Sequence, residues 1–223
     1  MRFKDFDCMK KLVLFDFDGT LADTSEGIIN SHKYAHKMMG REIPSDEVLY
    51  SVIGGPLLQT YMNRFGFNEN EAIEAVKYYR EFYAKQGINE AQLYPGIKDL
   101  LITLKQNGIF AGVATLKAEK FAKIMSENLG IAEYFSVIHG IDANDKSSKA
   151  DIIKRCLEDT GTNFSDALMV GDSIHDYNGA QEAGVDFAGV IYGFGFTGRN
   201  HGNNLNIFNS PAELQDFILK SCN

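Results

Sequence analysis

The sequence predicts an α/β fold: a parallel sheet covered by helices on both faces, with a helical segment inserted near its start. Three observations predict it. Short apolar runs alternate with longer amphipathic stretches along most of the 223 residues, the pattern of repeated strand–helix units. One stretch, from Ala22 to about Ala91, breaks that rhythm and carries helical patterns without a strand. Three of the five strand candidates end in a polar residue, Asp16, Thr115 or Asp172, on the edge where open α/β sheets bind ligands.

The elements follow in order. "KLVLFDF" reads as a buried strand, apolar on both faces and too short for a helix. The inserted segment, residues 23–91, reads as three helices: "SEGIINSHKYAHKMMG", "SDEVLYSVIGGPLLQTYMNRFG" and "NENEAIEAVKYYREFYAKQG". Residues 1–22 and 92–223 form the remaining core. There, "PGIKDLLITLKQNG" starts at Pro95, sets Leu100, Leu101 and Leu104 on one face and stops at Gly108. Ile109–Thr115 is the second strand. The helix "KAEKFAKIMSENLG" leads to the third, Ser136–Gly140. "SKADIIKRCLEDTG" runs from Ser148 to Gly161 and leads to the fourth strand, Ala167–Asp172. "HDYNGAQEAG" is a short helix before the fifth, Phe187–Gly193. Tyr192–Asn206 is Gly- and Asn-rich and reads as an irregular loop. "SPAELQDFILK" is the last helix.

The bulk numbers narrow the function classes. Hydrophobic residues make up 44% and charged residues 23% of the chain, as in ordinary globular proteins. A net charge of −8 argues against a non-specific nucleic-acid binder, which needs a basic surface. It leaves a small anionic substrate open, since a local site can be positive on an acidic protein. No stretch approaches the ~20 apolar residues of a membrane span, and "MRFKDFDCMKK" has no apolar segment of signal length. Cys8, Cys156 and Cys222 are far apart and lack CxxC spacing. This disfavours a disulfide framework or a zinc site and fits a cytoplasmic location.

Asp16 and Asp18 pose the chemical question. Two carboxylates this close repel unless a cation or a shared proton sits between them. "DG" alone is explained by a turn in which Gly19 takes a positive φ and Thr20 caps the next helix. That turn does not explain Asp16, which sits inside the apolar run. A hard divalent cation explains both, and magnesium binds through one or two carboxylates while bridging to a substrate phosphate. An aspartate beside it can attack phosphorus. "MVGDSIHD" offers Asp172 and Asp176 around Ser173; either Asp172 or Ser173 caps a helix, or Asp172 completes an acidic metal pocket. Thr115 is either a helix cap or a donor to a phosphate oxygen. Lys149 opens a helix, where the dipole favours anions, so it makes sense beside a bound anion. Lys146 is its rival.

Together, "DFDGT", Thr115, Lys149 and "GDSIHD" resemble, in order and spacing, the four motifs of the haloacid dehalogenase-like hydrolase superfamily. "YPGIKDLL", "VATLK" and "VGDSIHDYNGAQEAG" are similar to its phosphoglycolate phosphatase-like branch. The resemblance implies a Rossmann-like three-layer core and a small α-helical cap over residues 23–91. It implies that Asp16 is the nucleophile and a magnesium ligand. Asp18 would ligate through its backbone carbonyl and serve as acid, then base. Asp172 would be the third ligand, and Thr115 and Lys149 would hold the phosphoryl oxygens, with Gly19 and Leu116 lining the phosphate. Asp176 would orient Ser173, a metal-bound water or Lys149. A second aspartate at position 18 also favours phosphate esters over carbon–halogen bonds, because an alkoxide leaving group needs a proton.

The expected activity is therefore a Mg2+-dependent phosphatase acting on a small phosphorylated metabolite, phosphoglycolate-like, in a monomer or small homo-oligomer. A pyrophosphatase or nucleotidase is the alternative on the same scaffold. A beta-phosphoglucomutase-type mutase fits "DGT" with "TSEGI" less well. A silent binding module is disfavoured because every expected catalytic residue is present. In the cap, Gly54, Gly55 and Pro56 interrupt a helical pattern; they either contact substrate or simply join two helices. Arg64 and Lys37 are either anion ligands or solvated charges. His32, His36 and His175 lack metal-site spacing, and Tyr78, Tyr79, Phe82 and Tyr83 read as packing.

Overall fold

The structure, a computed structural model, describes residues 10–141, 147–196 and 205–220. The chain runs β1 (Leu12–Phe15), β2 (Ala22–Asp23), α1 (Ser25–Met38), α2 (Asp46–Tyr50), α3 (Leu57–Asn63), α4 (Glu69–Lys85), β3 (Gln92–Leu93), α5 (Ile97–Gln106) and β4 (Phe110–Ala118). It continues through α6 (Glu119–Asn128), β5 (Phe135–Ile141), α7 (Lys149–Thr160), β6 (Ala167–Gly171), α8 (Ile174–Ala183), β7 (Asp186–Val190), β8 (Ile207–Phe208) and α9 (Pro211–Lys220). Two compact units divide it: Met1–Ala22 with Leu93–Asn223, and Asp23–Gln92. Among the described residues no helix is long and apolar enough to cross a membrane.

The first unit is a Rossmann-like α/β core. Six strands form one parallel sheet in the order β5-β4-β1-β6-β7-β8. β1 lies between β4 and β6, so Leu12, Val13, Leu14 and Phe15 are fully buried, as both faces of a central parallel strand must be. Leu12, Leu14, Ala114 and Met169 pack with Ile152, Ile153, Cys156 and Ala180 of α7 and α8. Val13 and Phe15 alternate with them and point to the opposite face. α5 packs on β4 and α9 with Ile97, Leu100, Leu101 and Leu104 buried. Burial also pushes the Cys156 thiol up to about 12, so this cysteine is a core side chain.

Strand order reverses at β1. The chain fills β4 and β5 on one side, then crosses to β6 and β7 on the other. Such a reversal opens a crevice beyond the carboxyl ends of the strands, and Asp16 is the first residue past β1. α7 starts on a capping box: the Ser148 side chain accepts from the Asp151 N–H, and the Asp151 carboxylate accepts from the Ser148 N–H. This cap makes Lys149 the first helical residue.

The structure corrects two readings of the core and adds one strand. β4 does not end at Thr115 but continues to Ala118, with a register shift against β5 between Ala114 and Ala118. The strand expected over 187–193 ends at Val190, and β8 pairs with it beyond the Gly- and Asn-rich segment. Two residues carry no periodicity, so β8 leaves no trace in the sequence. Residues 197–204 of that segment lie outside the described residues, as do Cys8 and Cys222.

The second unit is built on α1 to α4. α1 packs along α4. His32 is buried among the rings of Tyr61, Phe65 and Tyr79, at centroid distances of 5.4, 5.7 and 4.8 Å. Burial, and then the nearby His36, push its pKa down to about 3, so it acts as a neutral core ring. The helix expected over residues 45–66 is two helices, because Gly54 takes φ 84° between α2 and α3, a left-handed conformation suited to glycine. Pro56 then precedes α3 in an extended conformation.

Candidate active site

Asp16 leaves β1 with its carboxylate facing the ammonium of Lys149, whose Nζ donates to Asp16 Oδ1 at 2.8 Å and to the Ala114 carbonyl at 2.9 Å. The same Nζ lies 2.7 Å from Asp176 Oδ1. That oxygen has no aligned hydrogen bond, so the contact is an ion pair without good hydrogen-bond direction. The stem of Lys149 lies against Gly179 of α8, where a Cβ would strike it. Asp176 Oδ2 accepts from the Ser173 N–H at 3.1 Å and from its hydroxyl at 2.6 Å, which closes the start of α8 and turns Oδ1 toward Lys149.

Asp172 follows β6 and is 3% exposed. Its Oδ2 accepts from the backbone N–H groups of Phe194 and Gly195 at 2.6 and 3.0 Å. Gly19, at φ 81°, lets the first loop approach: a Cβ there would run into the Asp172 carboxylate. Tyr192 donates its hydroxyl to the Thr20 carbonyl at 3.2 Å, tying the two loops together.

Asp18 points elsewhere. Lys117 Nζ donates to both of its oxygens, at 2.8 and 3.1 Å. Two residues back on β4, Thr115 is buried, its hydroxyl favours the charged form of Asp16, and its Oγ1 accepts from the Lys117 N–H at 3.1 Å. Leu116, between them, is 37% exposed.

The electrostatics are unbalanced. Asp16, Asp172 and Asp176 each offer an oxygen, and these atoms lie within 4.8 Å of one another. Burial raises the pKa of Asp16, and Asp176 adds to the effect while Lys149 opposes it. Burial, then the charges of Asp16 and Asp176, push Asp172 up to about 7 against the two backbone donors. Burial alone would depress Lys149, but Asp16 and Asp176 outweigh it and hold its pKa above the ordinary lysine value. Four carboxylates face two ammonium groups, leaving two negative charges when all are ionised. Buried hard oxygen donors short of two positive charges fit a divalent cation such as magnesium.

Of the residues singled out in the sequence, the core unit brings Asp16, Thr115, Lys149, Asp172, Ser173 and Asp176 together with Gly19. Asp18 stands beside them, its side chain on Lys117; only its backbone carbonyl was assigned to the metal. Gly54 and Gly55 belong to the helical unit, and Lys146 lies outside the described residues. Lys117 closes the "VATLK" stretch but has no assigned role there, and the N–H groups of Phe194 and Gly195 carry no motif of their own. The signals for them are the lysine two residues after Thr115 and the glycines of "YGFGF": a Cβ on Gly193 or Gly195 would strike Asp172 or Ser173.

The haloacid dehalogenase-like hydrolase family profile matches residues 13–190. A 5'-nucleotidase of Pseudomonas aeruginosa is 38% identical over 184 residues, covering 82% of this chain and 83% of that one. A phosphoglycolate phosphatase of Vibrio parahaemolyticus is 30% identical over 220 residues, covering 95% and 92%. The crystal structure of a protein described as a predicted phosphatase from Clostridium acetobutylicum superposes with a TM-score of 0.87 at 36% identity, over 96% of this chain and 100% of that one. The family profile spans most of the chain and a relative at 30% identity covers 95% of it, so the chain belongs to the haloacid dehalogenase-like hydrolase family.

Proposed function

We propose that the protein is a magnesium-dependent phosphatase of small phosphomonoesters that works through an aspartyl-phosphate on Asp16. The observation that carries this reading is the placement of Asp16 at the switch point of the sheet, 2.8 Å from a buried ammonium and beside two further carboxylates. Asp16 attacks phosphorus; its new O–P bond forms as the ester P–O bond breaks, and the leaving alkoxide takes a proton from the Asp18 carboxyl. Water then attacks the phosphoryl group, Asp18 takes its proton, and phosphate leaves Asp16. Lys149 and Thr115 bind the phosphoryl oxygens and offset charge that builds on them. Asp16, Asp172 and the Asp18 carbonyl would hold the magnesium ion, with Asp176 behind them. When bound, the ion supplies charge neutralisation for the phosphoryl oxygens.

Two relatives support small phosphomonoesters as the substrate class, the phosphoglycolate phosphatase and the 5'-nucleotidase. The higher identity of the second favours a nucleoside 5'-monophosphate as an alternative substrate. Gly54 and Gly55 stay in this reading as substrate-side residues of the helical unit. The test is phosphate release from a panel containing phosphoglycolate, nucleoside 5'-monophosphates and pyrophosphate, with magnesium or with EDTA. Turnover that needs magnesium, with one class ahead in kcat/KM, is the expected result. No turnover on any member, or turnover unaffected by EDTA, would reject the reading.

A pH dependence of stability follows from Asp172. Its pKa rises from 3.8 to about 7 on folding without metal, so the folded state binds the proton more tightly than the unfolded chain. Stability is therefore highest below the unfolded value and declines as pH rises toward 7, by up to about 4 kcal/mol from this group. Magnesium needs the ionised form. Melting temperatures measured at about pH 5 and about pH 8 should show a larger magnesium-induced rise at the higher pH. An equal rise at both would place the ion away from Asp172.

A further inference from the structure

We infer that Lys117 is the positioning residue of Asp18, holding its carboxylate in the orientation from which protons are delivered to the leaving group. Asp18 sits on a turn, followed by Gly19 at φ 81°, and its own backbone does not determine where the side chain points. Lys117 does. One ammonium donates to both oxygens, at 2.8 and 3.1 Å, from a side chain only 6% exposed against 21% for Asp18. The ammonium also lies 5.9 Å from the centroid of the Phe17 ring, a cation–π contact that limits its freedom.

The same residue ties Asp18 to the phosphate side of the site. The Lys117 N–H donates to Thr115 Oγ1 at 3.1 Å, so the backbone that places the ammonium also aims the threonine hydroxyl. The register shift of β4 between Ala114 and Ala118 falls on this segment, where the strand leaves regular pairing. Lys149 and Lys117 thus divide the acidic groups between them: Lys149 serves Asp16 and Asp176, and Lys117 serves Asp18.

The inference rests on the general-acid reading of Asp18. Its test compares kcat/KM for an alkyl phosphate, whose alkoxide must be protonated, with kcat/KM for p-nitrophenyl phosphate, whose phenolate leaves without a proton. Lys117→Met is expected to lower the first about 10- to 100-fold more than the second, with Lys117→Arg recovering part of the difference by restoring a cation. Asp18→Asn gives the limiting case of the same selectivity. An equal fall on both substrates, or no fall, overturns the inference, because a merely structural loss does not discriminate leaving groups. Thermal melts show whether Lys117→Met folds; if it does not, Lys117→Gln carries the same comparison. If Asp18→Asn itself shows no leaving-group selectivity, the acid reading of Asp18 fails first; if it does and the Lys117 variants do not, the positioning inference fails alone.

Discussion

Asp16→Asn is expected to lower kcat/KM by about 10⁴-fold or more while leaving the metal-free protein as stable as wild type, or more so. The activity loss follows from the chemistry: an amide does not attack phosphorus, and the remaining carboxylates hold other positions. The stability result follows from burial. Ionised Asp16 is disfavoured in the fold, because desolvation raises its pKa, and the attraction of Lys149, set against the repulsion of Asp176, does not cancel that rise. A neutral amide of the same shape removes that repulsion, and Lys149 keeps Asp176 and the Ala114 carbonyl. Phosphate-release assays and melts in EDTA check both parts. Turnover close to wild type would remove Asp16 from the reaction. A large loss of stability would show that the Asp16–Lys149 pair holds the fold.

Lys149→Met should act in the opposite direction on stability. It removes the ammonium that sits 2.8 Å from Asp16 and 2.7 Å from Asp176, and it leaves buried carboxylates facing one another. Breaking a buried pair from one side costs about 3–5 kcal/mol, which for a chain of this size lowers the melting temperature by about 10 °C. The sign of the pH dependence separates charge from packing. Without Lys149 the carboxylates bind protons still more tightly in the folded state, so acid neutralises them and restores stability. The loss should be large at about pH 8 and small at about pH 5, measured in EDTA. An equal loss at both would assign the effect to the packing of the lysine stem against Gly179. Turnover falls as well, because the phosphoryl oxygens lose their cation.

Much of the fold was legible because burial leaves periodic marks. The unbroken apolar run at Leu12–Phe15 signals a strand covered on both faces, and the glycine after α7 marks where that helix stops. Shorter or strained features leave no such mark. β8 is two residues long, and β4 runs past Thr115 because Ala118 still pairs with Ile141 after a register shift. The pattern over residues 45–66 reads as one helix until the backbone of Gly54 turns left-handed.

The candidate site divides along the same line. Asp16, Asp18, Asp172 and Asp176 stand out in the sequence because carboxylates at the ends of apolar strands are electrostatically costly and need a reason. Lys149 stands out because a cation opens a helix. What their pairings are could only be decided in three dimensions. Lys117 and Asp18 are 99 positions apart, and the donors to Asp172 are backbone N–H groups that every loop possesses. The sequence by itself determined which residues bear charge and chemistry, since side-chain identity and local periodicity are properties of the chain. The tertiary structure alone decided which ammonium serves which carboxylate, because distance and desolvation exist only once the sheet brings β1, β4 and β6 side by side.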